Sequence, residues 1–305
     1  MLWWLFLIII FQAWPVKPQY QQQLPQNIFI LAGQSNMAGR GGVTNDTKTN
    51  TQIWDAVVPP QCQPNPSILR LNAELTWVQA HEPLHVDIDV NKTNGVGPGL
   101  PFANAILTKV PNFGLIGLVP CAIGGTNISE WRKGSSLYEQ MIRRSQLALR
   151  SGGVIRAVLW YQGESDTASL DDAKSYKQRS EKLFTDLRSD LQAPLLPIIR
   201  VAIASGQGPF IEIVRKAQLS SDLPNVRCVD AKGLPLEPDG LHLTAPSQVR
   251  LGEMLADAFL RSRSGSIKSG SYSYSDAPRN FSNFISYFLT AAPLLTSVWM
   301  ILTFG

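Results

Sequence analysis

Ile28-Phe-Ile-Leu-Ala-Gly-Gln-Ser-Asn-Met-Ala-Gly-Arg-Gly-Gly42 is an apolar run that stops at a glycine and delivers a serine. Ile28 to Ala32 are apolar without a break, the pattern of a strand buried on both faces of a parallel sheet. Gly33 allows a tight turn, and Gly39, Gly41 and Gly42 keep bulk away from Ser35. A serine just past a buried strand, among small residues, has backbone N–H groups nearby and room for a carbonyl, which is what a nucleophile of ester chemistry needs. Gly33-Gln-Ser-Asn36 also reads as an ordinary polar turn. The choice depends on whether a base and an oxyanion site exist elsewhere.

The same pattern, a strand emptying into glycines and polar residues, recurs along the chain. Leu115 to Pro120 read as a second buried strand ending in Cys121-Ala-Ile-Gly-Gly-Thr-Asn-Ile-Ser-Glu-Trp131. Val154 to Tyr161 read as a third, ending in Gln162-Gly-Glu-Ser-Asp166; Leu195 to Ala204 and Val226 to Val229 read as a fourth and fifth. Helical spacing occupies Phe102 to Lys109, Leu137 to Arg150, Ala173 to Leu191, Phe210 to Ser221 and Ser247 to about Arg263. This alternation predicts a three-layer α/β/α sandwich around a five-stranded parallel sheet. Outside it, residues 43–65 read as a long surface loop, and the segments 67–72 and 76–80 as a small side hairpin.

In open parallel sheets ligands bind at the carboxyl ends of the strands, where the polar turns of this chain fall. Ser35 supplies a hydroxyl. His242, in Asp239-Gly-Leu-His242 ahead of the last helix, is a candidate base, and Asp239 can orient its ring. Taken alone, Asp-Gly-Leu-His is equally a turn with a helix-capping residue. Candidate oxyanion donors are the N–H of Ser35, an N–H at Gly124 or Gly125, and the side-chain amide of Gln162. Glu164 belongs with them as a site residue, read as a brace of its loop. With Asp166 it also forms a pair of carboxylates, two residues apart, of the kind glycosidases use.

Other motifs exclude other chemistries. His81-Glu-Pro-Leu-His85 matches the zinc pattern H-E-x-x-H, but Pro83 is incompatible with the helix that pattern needs. Gly95-Val-Gly-Pro-Gly-Leu-Pro-Phe102 lacks the Lys-Ser/Thr of a phosphate loop. No metal and no cofactor is expected. The net charge of +4 and pI near 9.0 come from scattered basic residues, so nucleic-acid binding is not expected either.

Four blocks, Gly33-Gln-Ser-Asn-Met-Ala-Gly39, Gly124-Gly-Thr-Asn-Ile-Ser-Glu-Trp131, Trp160-Tyr-Gln-Gly-Glu-Ser-Asp166 and Asp239-Gly-Leu-His242, stand in the order of those of one family. Over about residues 27–263 the chain resembles the sialate O-acetylesterase-like carbohydrate esterases of the SGNH hydrolase superfamily, in particular the plant-type members. The resemblance implies a catalytic Ser35, Asp239 and His242. It places Ser35, a glycine of the Gly124-Gly125 pair and Gln162 around the oxyanion. It implies removal of O-acetyl groups from a carbohydrate without a metal. Gln162-Gly-Glu164 stands where the wider superfamily has an asparagine. The alternative is a carbohydrate-binding surface protein that kept the fold and lost turnover.

The chain of 305 residues, 44% hydrophobic and 16% charged, suits one esterase domain with additions at both ends. Leu2 to Trp14 are almost wholly apolar and precede a Pro- and Gln-rich lead-in, so residues 1–26 read as a signal peptide and linker, or a retained anchor. Residues 264–283 read as a flexible linker. Residues 284–305 carry no charge and read as a transmembrane tail or a GPI-attachment signal. These ends, with sequons at Asn45, Asn91, Asn127 and Asn280, point to the secretory pathway and a cell-surface, membrane-attached protein. Cys62, Cys121 and Cys228 permit at most one disulfide, with Cys62–Cys121 conceivable. Asn127 lies inside a site motif, and its sequon is expected to stay unmodified.

Overall fold

Nine strands and six α-helices make up a computed structural model that describes residues 24–267 apart from Thr47, Asn50 and Ser151, with the backbone alone for residues 263–267. The strands are β1 (Asn27–Gly33), β2 (Val43–Asp46), β3 (Thr51–Trp54), β4 (Ile68–Leu71), β5 (Trp77–Gln79), β6 (Ile116–Pro120), β7 (Val154–Tyr161), β8 (Ile198–Ala202) and β9 (Val226–Asp230). The helices are α1 (Ser35–Ala38), α2 (Gly99–Lys109), α3 (Ser136–Leu149), α4 (Leu170–Asp190), α5 (Ile211–Leu219) and α6 (Ala245–Ile267). The chain divides into a unit Met1–Ser264, which carries the site, and a unit Gly265–Gly305 whose residues beyond Ile267 lie outside the described ones. The expected signal peptide, most of the linker and the apolar tail also lie outside the described residues. Among the described residues no helix is long and apolar enough to cross a membrane.

The main sheet has seven strands, not the five expected, in the order β5-β4-β6-β1-β7-β8-β9. The five predicted strands are all present and parallel; β4 adds to them, parallel to β6, and β5 closes that edge antiparallel to β4. The segment 67–72 looks half-exposed because Arg70 interrupts its apolar residues. Arg70 is in fact buried, its guanidinium held by Asp87 at 2.6 Å, so this strand belongs inside. Part of the expected surface loop pairs as the β2–β3 hairpin.

Register shows which helix covers which face. Phe29 pairs with Ala157 and Ala32 with Trp160; three residues apart on one strand, Phe29 and Ala32 point to opposite faces. The ring of Phe29 meets Phe102 of α2 and Phe259 of α6 edge-on, at 4.9 and 5.0 Å between centroids. Trp160, on the other face, meets Trp131 and Phe184 of α4 at 5.3 and 5.8 Å. Helices α3, α4 and α5 share that face, which completes the three layers. Strand β1 lies between β6 and β7, the two strands whose ends carry the polar turns. The sheet therefore brings the ends of β1, β6 and β7 side by side.

Candidate active site

Strand β1 packs so closely on β7 that a Cβ at Gly33 would lie 2.0 Å from the Tyr161 carbonyl oxygen. With φ at 129°, only glycine serves there. The next amide, Gln34 N–H, donates to that same oxygen at 2.8 Å, and the chain turns into α1 with Ser35 at its first position. Ser35 is 5% exposed. The turn thus presents one hydroxyl at the sheet's edge with its backbone locked to the neighbouring strand.

The loop after β9 meets it. Ser35 Oγ lies 3.0 Å from His242 Nε2, and His242 Nδ1 lies 2.6 Å from Asp239 Oδ2. Asp239 Oδ1 accepts the N–H groups of Leu241 at 2.8 Å and His242 at 2.9 Å. Burial works against ionised Asp239, but these backbone donors and the imidazole outweigh it and hold the carboxyl below its ordinary 3.8. Burial lowers the His242 imidazole below 6.5 despite the opposing pull of Asp239. At neutral pH the ring is therefore the free base, with Nδ1–H toward Asp239 and the Nε2 lone pair toward Ser35.

Asn36 ties the two loops together. Its amide donates to Glu164 Oε1 at 2.8 Å and to the Leu241 carbonyl at 3.3 Å, and its oxygen accepts Leu243 N–H at 2.9 Å. One side chain thus clamps both sides of His242 next to Ser35. Nothing in the sequence singles out Asn36 beyond its place after the serine, because its partners are 128 and about 205 residues away.

The β7 end plays a different part from the one expected. Gln162 is fully buried, and its Nε2 faces Asp166 Oδ2 at 2.5 Å, Thr126 O at 3.0 Å and Gln34 Oε1 at 3.2 Å. Three internal acceptors surround two hydrogens, so this amide is turned inward and is not offered to an oxyanion. Glu164 and Asp166 are also wholly buried. Burial raises the Glu164 carboxyl to about 7 and that of Asp166 to about 6. Glu164 Oε2 has no hydrogen-bond partner, whereas both Asp166 oxygens accept Ile128 N–H at 3.1 Å. These carboxyls brace loops inside the protein; a glycosidase pair would have to flank a sugar in an open cleft.

At the β6 end Gly124 and Gly125 separate. Gly124 N–H is taken by Asp89 Oδ2 at 3.2 Å, while among the described residues Gly125 N–H and Ser35 N–H meet no acceptor. Asp89 is paired with Arg40, and both side chains are 3% exposed. Neither residue was legible as part of a site: Arg40 stands in a glycine cluster, and Asp89 in a loop without periodicity. His81-Glu-Pro-Leu-His85 lies in turns, with His81 exposed and His85 wholly buried, so the two rings do not share a face. All three cysteines are free thiols, which removes the conceivable Cys62–Cys121 bridge.

Residues 25–261 match the family described as SASA, carbohydrate esterase, sialic acid-specific acetylesterase. The chain belongs to this family. It is a carboxylic ester hydrolase of the carbohydrate acetylesterase type, as the four sequence blocks imply. A probable carbohydrate esterase of Arabidopsis thaliana is 58% identical over 246 residues, 80% of this chain and 94% of the relative. An X-ray structure of an Arabidopsis thaliana protein, also 58% identical, superposes with a TM-score of 0.76 over 78% of this chain and 98% of that one. A carbohydrate acetylesterase of Xanthomonas citri, 19% identical, shares the fold at a TM-score of 0.57 over 78% of this chain and 57% of its own. Within the family architecture, the serine turn, the Asp-Gly-Leu-His loop and the glycine pair of this member meet at one end of the sheet.

Proposed function

We propose that this esterase removes acetyl groups from an O-acetylated carbohydrate through Ser35, His242 and Asp239. The observation that carries the reading is the unbroken chain from Ser35 Oγ through the imidazole to Asp239, at 3.0 and 2.6 Å. His242 Nε2 takes the Ser35 proton as Oγ bonds to the acetyl carbon. The carbonyl oxygen becomes an oxyanion that accepts from Ser35 N–H and Gly125 N–H, two amides of the site with no internal acceptor among the described residues. Collapse breaks the bond to the sugar oxygen, which takes the proton from the imidazolium and leaves as the alcohol. Water, deprotonated by His242, then releases acetate from the acetyl-serine. Asp239 keeps the ring in the tautomer that both steps need.

The same reading includes delivery through the secretory pathway and attachment to a membrane. It is supported by the apolar segments 2–14 and 284–305 and by sequons whose asparagines, Asn45 and Asn91, are exposed. The test of the chemistry is acetate release from 4-nitrophenyl acetate and from acetylated xylan, pectin and sialoglycan, with Ser35→Ala as control. Loss of turnover in the variant with its melting temperature kept is the expected result. Wild-type turnover in Ser35→Ala would overturn the assignment.

A further inference from the structure

The buried Arg40–Asp89 pair is not explained by stability, since desolvating two charges offsets most of their attraction. Its placement is specific. Arg40 Nη1 donates to Gly39 O at 2.8 Å and to Asn94 Oδ1 at 2.9 Å, which fastens the guanidinium to the turn that carries Ser35. Asn94 is fixed in turn by donating to Asp89 O and Lys92 O, each at 3.0 Å. Asp89 Oδ2 accepts both Arg40 Nη2 and Gly124 N–H. A Cβ built on Gly124 would meet Arg40 Nη2 at 2.6 Å, Asp89 Oδ2 at 3.1 Å and Ser35 Cβ at 3.5 Å. Guanidinium, carboxylate and serine side chain therefore converge on one glycine α-carbon.

We propose that Arg40 and Asp89 position the ester-cleaving site and supply part of its field: Asp89 tethers the Gly124 peptide against Ser35, and Arg40 holds a fixed positive charge beside the developing oxyanion. The proposal rests on Ser35 being the nucleophile. A lone carboxylate at this place would repel the oxyanion, so Asp89 serves as a tether only because Arg40 more than balances it there. A charge already buried and held by three acceptors needs no reorganisation when the oxyanion forms, which is why such groups act strongly in dry sites. The charge of Arg40 also acts on the imidazole. The charged groups around His242 are Asp239 and Glu237 from its own loop, which favour its protonation, and Arg40 from the serine turn, which joins burial in opposing it. Neither Arg40 nor Asp89 touches the reacting atoms, so both are positioning residues.

The experiment compares R40Q/D89N, D89N and wild type with 4-nitrophenyl acetate over pH 4 to 9, each checked by thermal melting. The double variant keeps hydrogen-bonding side chains at both positions without the charges. Its kcat is expected to fall by about tenfold to a hundredfold, with KM changing less than about threefold. Its acid limb in kcat/KM is expected to move up by about half a pH unit as the cation is lost. D89N keeps Arg40 and weakens only the tether on Gly124, so its kcat is expected to fall by about threefold to tenfold while its acid limb stays at the wild-type position. A folded double variant with the kcat and acid limb of wild type overturns the proposal. Should the double variant not fold, D89N decides, since a folded variant with wild-type kcat overturns the proposal and a fall in kcat with KM little changed supports it. Ser35→Ala separates the two readings. Turnover in that variant defeats both, whereas its loss together with wild-type behaviour in R40Q/D89N defeats only the role of the pair.

Discussion

Glu164→Gln tests whether the carboxyl under the serine turn is the buried, partly unsatisfied group seen in the structure. Burial raises its carboxyl from 4.5 to about 7, against the lowering contribution of the Asn36 hydrogen bond. At about 1.4 kcal/mol per unit, the folded protein disfavours the carboxylate by roughly 3 kcal/mol. The folded state binds this proton more tightly than the unfolded chain does. The stability tied to it is therefore present below pH 4.5 and is lost as pH rises through about 7. Glutamine cannot titrate. Its oxygen can still accept from Asn36, but its nitrogen takes the place of Oε2, which has no partner, at a cost of about 1–3 kcal/mol at every pH. Relative to wild type, the variant should gain about 2–3 kcal/mol between pH 5 and pH 8. For a domain of this size that is roughly 4–10 °C in melting temperature. Glu82 and Asp166, raised by burial to about 8 and about 6, give both proteins the same background slope, so the assay is the difference in melting temperature at the two pH values. An equal difference at pH 5 and pH 8 would refute the burial of an ionisable Glu164.

Other outcomes follow from the same geometry. The acid limb of kcat/KM should have its midpoint below 6.5, because burial lowers His242; a midpoint above 7, read from a pH profile, would contradict the free-base imidazole. Gly33→Ala places a Cβ 2.0 Å from a backbone oxygen at φ 129°, and should cost about 3 kcal/mol or more and yield little soluble protein. A variant that melts within a few degrees of wild type would show that β1 and β7 can separate. Peptide mapping after secretion from a eukaryotic host should find glycan on Asn45 and Asn91, which are exposed, and none on Asn127. The Asn127 side-chain oxygen already accepts from Ser129 N and Oγ, at 3.0 and 2.5 Å.

Much of the fold is visible in local pattern, because a strand buried on both faces must be apolar throughout and a covering helix must repeat its apolar residues every three or four positions. That logic finds five of the seven strands of the main sheet. It misses the place of β4, since Arg70 looks like a surface residue until Asp87, 17 residues on, is seen to hold it inside. Ser35, Asp239 and His242 are readable as candidates because a nucleophile and its base need particular residue types beside glycines. The oxyanion side is less legible. Gly124, Gly125 and Gln162 look like equal donors in sequence, and only their partners distinguish them: Asp89 occupies Gly124 N–H, and Gln34, Thr126 and Asp166 surround the Gln162 amide. The one-dimensional chain thus determined the layers of the protein and the turn that delivers Ser35, since strand burial and glycine conformations are local demands. Only the tertiary structure decided which N–H groups stay open to a substrate and that Arg40 stands behind them. A hydrogen bond between residues dozens of positions apart leaves no periodic mark on either, and folding alone shows which donors are already taken.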